Sequence, residues 1–582
     1  LQTVVIPIRE VGAPRSEIFR LQIVAVFGYS EHLASSLLSA PELAAGGAMG
    51  DDGATSDVAF AAFHGSATRL VSDDAAEDTV SHLAAVGASL ATMEDSVIER
   101  SLDFILFPVV GVMRRASEPE TNDADANPKA RARRIKTLEE SLRCVSAVLR
   151  RLEPGMGEPA FIGDLFCDVV AVLARSGSDP SLDDPSSGTR SSSSSADLED
   201  LRLAAVTCAS DVVRLIRPRT THARALLADK NLPAVGYATS LLVRVAHLEA
   251  SAGTKGSKAI RCAALATLRD LVRNTDDPDA WSFFLPGVVS GLAKALHASS
   301  GSRSDEGAGP AGAADDSAST EAAIEALTAI VTCVLDDTCN VVQQRDTEHG
   351  GDAGDDVVER LRRMAEDGRE GASVLRESSS RVDEDEDEDE DDVAADGPPP
   401  AGADTSQAAA HLKVRRTARW LKETAPRVEQ ALIAALTPAV SHRKPSVRRT
   451  AALAAAAVIK QCSRTLRGAR RTLLECTLVA RGDPWDAVSG PATVVLDGLR
   501  SDGYVDDEVL DSIVAEALGD LPKLVRRGAA GGDGGRACAQ RAIAAMATAG
   551  SARVARMFLT KYAVRLATCA GLAQCFAVSA DL

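Results

Sequence analysis

Apolar residues recur along this chain with the period of an amphipathic α-helix, most clearly between residues 411 and 498. The pattern there predicts three helices joined by short turns, each with one apolar face. On the first helix this face consists of Val428, Leu432, Ala435 and Leu436. Pro445 suits the first turn of the second helix, where a missing N–H costs no hydrogen bond. Asp483-Pro484 is expected to end the third helix.

A pair of amphipathic helices cannot bury its apolar faces alone, whereas a row of such pairs can, which is the principle of an α-solenoid. Pro438 inside the first helix, followed by Pro445-Ser-Val-Arg at the start of the second, is typical of a HEAT repeat. In such a repeat we expect Val447 to point inward and Arg448 to lie along the boundary between repeats. No segment shows sustained two-residue alternation, so no strands are expected.

Similar periodicity extends over the N-terminal half of the chain. It predicts helices at about 57–72, 80–98, 131–151, 159–175, 197–217, 232–249, 257–274 and 320–343. A Pro after a strongly apolar turn recurs at Pro7, Pro108 and Pro286, which indicates repeats and predicts that helices end near these positions. The predicted fold class is therefore all-α, an α-solenoid of HEAT- or armadillo-like helical repeats with long disordered insertions.

Changes in composition predict where the helical pattern is interrupted. Segments rich in Gly, Ser, Pro and Asp are expected to form loops near 41–57, 118–129, 176–195 and 299–320. The largest interruption, 345–407, is too charged and too poor in apolar residues to fold alone. We therefore predict an N-terminal helical block over 1–344, an acidic disordered linker over 345–407 and a C-terminal helical block over 408–582.

The length, apolar content and charge of the chain limit the classes of function that it can have. The chain has 582 residues, more than one ordinary core accommodates, and 45% of them are apolar but only 3% aromatic. A core built from Ala, Leu and Val suits closely packed helices better than a ligand pocket. The net charge is −19, and ten acidic residues form one run, Asp383–Asp392. Without that run the chain is only mildly acidic, so the total charge does not suggest a nucleic-acid or membrane-surface role.

The cysteines and apolar stretches favour an intracellular protein without a membrane span. No C-x-x-C occurs, and most cysteines fall on apolar helical faces, so buried reduced thiols are expected at Cys144, Cys208, Cys262, Cys333 and Cys462. The longest apolar stretch considered as a span, Phe104–Met113, is far below the roughly 20 residues required. The first residue is Leu1 rather than Met, which leaves open that the sequence is a fragment.

No motif predicts a catalytic, cofactor or metal site, so we expect neither an enzyme nor a cofactor. Gly307 to Gly312 matches G-x-G-x-x-G, but Pro310 lies within it, no strand precedes it and no helix begins there. Phosphate-binding, nucleophile-elbow, zinc-protease and kinase motifs are absent from the sequence. The histidines lack metal-ligand spacing, and the acidic run lacks the Gly that a calcium-binding loop needs at its turn.

The acidic run Asp383–Asp392 allows two interpretations. A solvated linker is the favoured one. The alternative is an electrostatic contact for a basic partner, tuned by phosphorylation of Ser380, which has Asp383 three residues further on.

Basic residues cluster on both sides of the first C-terminal helix. They are Lys413, Arg415, Arg416, Arg419 and Lys422, and then Arg443, Lys444, Arg448 and Arg449. Solvent-exposed faces and repeat boundaries are the favoured interpretation; phosphate contacts are a weaker one because Trp420 is the only nearby aromatic residue. Contact with the acidic linker of the same chain is a further alternative. The candidate protein-interaction surface is the turn and flank formed by His442, Arg443, Lys444, Arg448 and Arg449.

Several sequence blocks between residues 100 and 565 occur in the order found in one protein family. They are Leu102–Pro108, Ser257–Leu265, Phe284–Leu292, Arg416 to Trp420, Val428 to Leu436, Pro445–Arg448, Cys462–Leu466, Arg471–Leu478 and Leu521–Leu524, with Gln540 downstream. In these blocks the chain resembles the Tel-two-interacting protein 1 family, a HEAT-repeat subunit of the TTT co-chaperone complex. It departs from that family in its Ser-rich and Asp/Glu-rich insertions and Ala-heavy helices.

This resemblance implies a non-enzymatic scaffold that joins the Tel-two protein and a second Tel-two-interacting protein. With the Hsp90 machinery, such a complex supports folding and stability of phosphatidylinositol-3-kinase-related kinases, in the cytoplasm and with the nucleus as a second location. The alternatives are another HEAT-repeat adaptor, either a nuclear transport receptor or a chromatin-associated solenoid, and an enzyme such as the regulatory part of a kinase.

Overall fold

The computed structural model describes residues 51–71, 78–118, 128–177, 192–251, 256–299, 317–341, 414–506, 508–510 and 512–513. Within these ranges the secondary structure is helical, and no strand occurs. The predicted all-α fold class is confirmed. The helices are α1 Asp51–Val71, α2 Thr79–Thr92, α3 Asp95–Arg100, α4 Leu102–Ser117, α5 Pro128–Leu149, α6 Pro159–Gly177, α7 Ser192–Leu215, α8 Thr221–Leu226, α9 Leu232–Ser251, α10 Lys258–Thr275, α11 Pro278–Ser282, α12 Leu285–Ser299, α13 Ser317–Leu335, α14 Ala418–Val440, α15 Pro445–Cys462, α16 Arg467–Arg481 and α17 Asp486–Ser501.

Several predicted boundaries differ from the observed ones. The predicted loop 41–57 is wrong from Asp51 onward, because α1 begins at that residue. The pattern at 80–98 forms two helices instead of one, and α13 ends at Leu335, before position 343. α7 and α13 begin inside the loops predicted at 176–195 and 299–320. Pro7, the linker 345–407 and residues 514–582 lie outside the described residues.

Proline does not end the helices where the apolar pattern predicted. Pro108 lies inside α4, between the buried residues Phe107 and Val109, and the helix continues to Ser117. Pro286 lies in the first turn of α12, where the proline ring removes no intrahelical hydrogen bond and so destabilises the helix least. Burial of the flanking apolar residues offsets the hydrogen bond that Pro108 removes, so the recurring Pro marks a helix of the repeat and not its end.

The chain divides into two compact units. One contains residues 1–276 and 294–326, and the other contains 277–293 and 327–582. This division differs from the predicted N-terminal block 1–344, because residues after 326 pack with the C-terminal helices. One such contact joins the Cys462 thiol of α15 to the carbonyl of Val331 in α13, at 4.0 Å.

The first unit is built from helix pairs stacked in two rows. α1 packs on α2, α4 on α5, α6 on α7 and α9 on α10, so each pair consists of helices consecutive or nearly consecutive in sequence. The second helices α2, α5, α7 and α10 pack on one another in chain order, and the first helices α1, α4, α6 and α9 form the other row. This arrangement buries the apolar face of each pair against its neighbours, as the predicted solenoid requires.

Polar side chains join the C-terminal ends of successive second helices in this unit. A side chain at the end of one helix donates to a carbonyl at the end of the preceding helix. The donors are Arg151, Arg214 and Asn274, and the acceptors are the carbonyls of Leu90, Leu152 and Val213, at 2.6, 3.0 and 3.0 Å respectively. The last carbonyls of a helix have no intrahelical donor, so these contacts satisfy groups that would otherwise require water.

The second unit repeats the same arrangement with shorter connections. α14 packs on α15 and α16 on α17, while α14 also contacts α16 and α15 contacts α17. The second helix begins at Pro445 in one pair and at Asp486 in the next. That spacing falls in the HEAT range of about 40–47 residues and not near the about 34 residues of a TPR.

Asp337, which follows α13, fixes the turn between α15 and α16. Its carboxylate accepts hydrogen bonds from the backbone N–H groups of Arg464 and Thr465, both at 2.9 Å, and from the Ser463 hydroxyl at 3.0 Å. Its own backbone N–H donates to the Gln461 carbonyl at 2.7 Å. The segment after α13 is therefore bound to the end of α15 within the second unit.

The core composition follows the prediction from the low aromatic content. Alanines cover much of the buried face of α15, and the residues involved are Ala451, Ala452, Ala454, Ala455 and Ala456. Small side chains allow neighbouring helices to approach closely, so a core of this kind needs few aromatic rings. α13 is long and apolar enough to cross a membrane by length and composition, but 67% of that stretch is buried inside the fold, which is typical of a core helix.

Candidate protein-interaction surface

Two turns of the second unit lie side by side. The first, between α14 and α15, contains His442, and its Nδ1 atom accepts a hydrogen bond from the Lys444 backbone N–H at 3.2 Å. The second, between α16 and α17, contains Asp483, whose carboxylate accepts a hydrogen bond from the Trp485 backbone N–H at 3.0 Å. Each turn is thus fixed by a side-chain contact of its own, in addition to the contacts that join the two turns.

Arg448 joins the two turns from the inside. Its Nε and Nη2 atoms donate to the Asp483 carboxylate at 2.6 and 2.9 Å, and only 4% of the Arg448 side chain and 0% of the Asp483 side chain are exposed. Its Nη1 atom donates to the carbonyls of His442 and Arg443 at 2.9 and 3.0 Å. The planar guanidinium suits this role because it presents several N–H groups in fixed directions.

Arg448 was predicted to belong to the interaction surface, but the structure shows it buried. It lies along the boundary between repeats, as the HEAT pattern predicted, but its side chain is only 4% exposed and faces the interior. Val447 is 0% exposed, which confirms that it points inward. Arg443, Lys444 and Arg449 are exposed and His442 is half-buried. For these four residues, interaction with a partner stays a prediction.

Trp485 is the residue that the sequence interpretation missed. It is 60% exposed, which is unusual for so large an apolar side chain. Its backbone is held by Asp483, and Asp483 is held by Arg448, so Trp485 lies at the same edge as the basic turn. An aromatic residue directly after Asp483-Pro484, where the third helix was predicted to end, was the available signal. We refer to Arg443, Lys444, Arg449 and Trp485 together as the basic edge.

The basic edge has a positive charge that local sequence does not balance. No Asp or Glu occurs between Glu429 and Glu475, whereas this stretch contains Arg443, Lys444, Arg448, Arg449, Lys460, Arg464, Arg467, Arg470 and Arg471. Arg448 is neutralised by Asp483, and Lys460 pairs with Asp502 at 2.9 Å. For Arg443 and Arg449 the described part of the chain provides no ion pair. Exposed Asp486 is the acidic residue nearest in sequence to Trp485.

The remaining residues of the predicted basic cluster lie at the other end of α14. Arg416 pairs with Asp279 at 2.7 Å, and Arg419 pairs with Glu423 at 2.9 Å. Arg415 and Lys422 are exposed, and Lys413 lies outside the described residues. Because α14 has 23 residues and is about 34 Å long, the structure separates the predicted cluster into two groups. Ser380 and the acidic run also lie outside the described residues.

The described ranges show no metal-binding cluster, and two of their buried thiols have raised pKa values. No group of three His, Cys, Asp or Glu residues that could hold a metal ion occurs there. Burial raises the pKa of the Cys144 and Cys208 thiols to about 12. Cys462 is also buried, whereas Cys262 and Cys333, expected to be buried, are only half-buried. The Gly307–Gly312 motif lies outside the described residues.

Comparison with protein families identifies these repeats. Residues 60–484 match the family described as the TTI1 N-terminal TPR domain, and this span includes α2 to α16 completely. The chain belongs to the TTI1 family. The resemblance inferred from the sequence blocks is thereby confirmed. A search of curated proteins found no match.

Membership of the TTI1 family agrees with the helix-pair architecture. The matched domain is described as a TPR domain, and TPR and HEAT repeats both consist of antiparallel helix pairs. The TTI1 domain is a helical-repeat domain of the scaffold type and not a known enzyme family. The match ends at residue 484, directly before Trp485 of the basic edge.

Proposed function

We propose that this chain is a non-catalytic scaffold subunit of the TTT co-chaperone complex. In this role it binds the Tel-two protein and a second Tel-two-interacting protein. With the Hsp90 machinery, the complex supports the folding, stability and assembly of phosphatidylinositol-3-kinase-related kinases. The observation that carries the proposal is the match of residues 60–484 to the TTI1 family.

The physical properties of the chain support a role in binding and not in catalysis. Stacked helix pairs expose one set of turns after another, and each turn can contact a partner without rearrangement of the core. The two turns around Arg448 are fixed by buried polar contacts, so their exposed side chains are presented on a rigid frame. Rigid presentation lowers the entropy cost of binding. We place this function in the cytoplasm, with the nucleus as a second location.

The test is affinity purification of the tagged chain from its own cells, followed by mass spectrometry. Recovery of the Tel-two protein, the second interacting protein and the large kinases is the expected result. Recovery of a small GTPase would move the function to nuclear transport, and recovery of chromatin proteins would move it to chromosome structure. In both cases the helical-repeat fold would stand and the co-chaperone proposal would fail.

A second experiment addresses the kinases directly. Depletion of the chain should lower the steady-state amount of the kinases without lowering their messenger RNA, because unassembled kinase is degraded. Re-expression of the chain should restore the kinase proteins. The purified chain should not hydrolyse ATP above background, and hydrolysis that copurifies with the chain and disappears on its removal would contradict the non-catalytic role.

A further inference from the structure

We propose that the basic edge formed by Arg443, Lys444, Arg449 and Trp485 docks an acidic peptide segment of another protein. The segment carries several carboxylates and one apolar side chain. Its carboxylates pair with the arginines, and its apolar side chain packs on the Trp485 ring. The proposal concerns the chemistry of the partner, which the proposed function does not specify, and it does not require that the partner belong to the co-chaperone complex.

A continuous set of hydrogen bonds holds together the two turns that carry these residues. The Arg443 carbonyl accepts a hydrogen bond from the Arg448 guanidinium at 3.0 Å, and the same guanidinium donates to the Asp483 carboxylate at 2.9 Å. That carboxylate oxygen also accepts from the Trp485 backbone N–H at 3.0 Å. These contacts place the Arg443 carbonyl and the Trp485 N–H within about 11 Å of each other. One short extended peptide, which rises about 3.3 Å per residue, can therefore reach both turns.

The charges at the basic edge favour a partner rich in carboxylates. Arg443, Lys444 and Arg449 are exposed, and no Asp or Glu occurs in the sequence between Glu429 and Glu475. Guanidinium groups bind carboxylates in two-point geometry. The chain as a whole has a net charge of −19, and that background opposes a long polyanion such as duplex DNA more than it opposes a short acidic peptide.

Trp485 supplies the apolar contact of the proposed site. Its side chain is 60% exposed, and Pro484 beside it is also exposed. Tryptophan provides a large contact area at low conformational-entropy cost and is enriched among the residues that dominate binding energy at protein interfaces. Surfaces that bind single-stranded nucleic acid instead align several aromatic rings along a basic groove, whereas the basic edge offers one ring.

The frame beneath these side chains is fixed before any partner arrives. Only 4% of the Arg448 side chain and 0% of the Asp483 side chain are exposed, so the contacts that join the two turns are shielded from water. Arg443 and Trp485 are therefore presented without rearrangement of the backbone, which lowers the entropy cost of docking. Exposed ion pairs gain little individually, but several cations fixed close together act on a multivalent ligand as a group.

Asp486 determines which part of the peptide faces Trp485. It is exposed and directly follows Trp485 in the chain, so it repels a carboxylate on that side. The apolar side chain of the peptide is therefore expected next to Trp485, and the carboxylates next to Arg443 and Arg449. Asp486→Asn should tighten binding of an acidic peptide about twofold, and weaker binding in this variant would contradict the orientation.

Fluorescence anisotropy of a labelled peptide titrated with the full chain tests the docking. The probe is an eight-residue peptide of Asp and Glu with one central Leu. Arg443→Glu together with Arg449→Glu should weaken its binding at least about tenfold, because two attractive charges become repulsive. The matched control is Lys422→Glu together with Arg427→Glu, at exposed positions of α14 that lie roughly 20 Å or more before its end. This control should change the affinity less than about twofold.

Two outcomes of this titration would overturn the proposal. Equal losses in the two double variants would show that binding follows the total charge of the chain and not the basic edge. Undetectable binding to the natural chain at about 0.05 M salt, where charge contacts are little screened, would show that the edge does not dock the peptide. Circular dichroism should be unchanged in all variants because the replaced side chains are exposed.

A double-mutant cycle between Trp485 and the Leu of the peptide tests the apolar contact. Trp485→Ala should weaken binding of the peptide at least about fivefold, and replacing the Leu by Gly should weaken binding to the natural chain by a similar factor. In the Trp485→Ala variant the same change in the peptide should have almost no effect, because the contact is already lost. Two losses that simply multiply would show that the Leu does not contact Trp485.

The same assay distinguishes an acidic peptide from a nucleic acid. A duplex of about 20 base pairs should bind less tightly than the peptide at about 0.15 M salt, because phosphate contacts weaken steeply as salt rises. Tighter binding of the duplex that is lost with Arg443→Glu and Arg449→Glu would assign the basic edge to phosphate groups and overturn the proposal. Recovery of the co-chaperone partners by affinity purification does not bear on these affinities, so the two proposals fail separately.

Discussion

Arg448 and Asp483 form a two-point ion pair between successive helix pairs, with Nε–Oδ2 and Nη2–Oδ1 distances of 2.6 and 2.9 Å. Arg449, the next residue in the chain, is exposed. Two adjacent arginines therefore have opposite roles, since one holds the repeats together and the other faces solvent. An interaction surface inferred only from the clustering of basic residues in the sequence therefore places Arg448 beside Arg449, although only Arg449 is exposed.

Replacement of Arg448 by Ala should destabilise the fold. The Asp483 carboxylate would lose the guanidinium while remaining in the interior, and removal of one member of a buried pair costs about 3–5 kcal/mol. We expect the free energy of unfolding to fall by about that amount in urea-induced unfolding followed by circular dichroism. Arg449→Ala, the matched control, should change it by no more than about 0.5 kcal/mol.

The double variant Arg448→Met with Asp483→Leu removes both charges at once. It distinguishes the contribution of the ion pair itself from the cost of leaving one buried charge unpaired. Apolar residues of similar volume often replace a buried ion pair without loss of stability. We therefore expect the double variant to recover part of the stability that Arg448→Ala loses, because the His442 and Arg443 carbonyls still lack their donor. Equal effects of Arg448→Ala and Arg449→Ala would contradict the structural role of Arg448.

Arg151 and Arg150 provide a second pair of neighbours with different roles. Arg151 donates to the Leu90 carbonyl at the end of α2, at 2.6 Å, whereas Arg150 pairs with Asp211 and has a side chain that is 56% exposed. Arg151→Ala leaves helix-end carbonyls without this donor and should cost about 1–3 kcal/mol. Arg150→Lys keeps a cation beside Asp211, whose side chain is only 11% exposed, and should cost less than about 1 kcal/mol. Thermal unfolding measures both, and equal costs would exclude a special role for Arg151.

The sequence predicts the fold class well because the fold class depends mainly on one property, the periodicity of apolar residues. Apolar periodicity gives the helices, and helix pairs with amphipathic faces must stack to bury them. Boundaries are predicted less well because helix ends depend on partners distant in sequence. The contacts of Arg151, Arg214 and Asn274 at helix ends join residues about 60 positions apart, which local patterns do not reveal.

The candidate surface is predicted only in part for the same reason. Arg443 and Lys444 are exposed because they lie in the turn, and Arg449 is exposed on the outer face of α15 near its start. Burial of Arg448 depends on Asp483, a residue 35 positions away whose role is visible only when the repeats are stacked. The periodicity around Val447 placed Arg448 at a repeat boundary, but a boundary residue can face either the core or the solvent.

Asp337→Asn should loosen the turn between α15 and α16. The carboxylate accepts hydrogen bonds from the N–H groups of Arg464 and Thr465, and an amide has a single oxygen for donors that two oxygens now accept. Hydrogen bonds to charged groups contribute about 1.5–3 kcal/mol, so amide exchange at Arg464 and Thr465 should accelerate roughly tenfold or more. Asp336→Asn is the control, because Asp336 bonds Thr338 within its own turn. Similar exchange in both variants would contradict this role.

Buried thiols should be slow to react in the folded chain. Burial raises the pKa of Cys144 and Cys208 to about 12, so at pH 8 almost none of either thiol is in the reactive thiolate form. Alkylation by iodoacetamide, followed by mass spectrometry, should be at least roughly tenfold slower at these positions than at half-buried Cys339. In guanidinium chloride the difference should disappear, and rapid modification of Cys208 in the folded chain would contradict its burial.

The same pKa shift determines how stability changes with pH. The unfolded chain loses its thiol protons near pH 9, whereas folded Cys208 keeps its proton until about pH 12. Between these values the folded state binds more protons than the unfolded state, so the contribution of Cys208 to stability is complete below about pH 9 and is lost as pH rises. Cys208→Ala should make the decline in the free energy of unfolding between about pH 9 and 11 shallower. An unchanged slope would show that Cys208 does not titrate with folding.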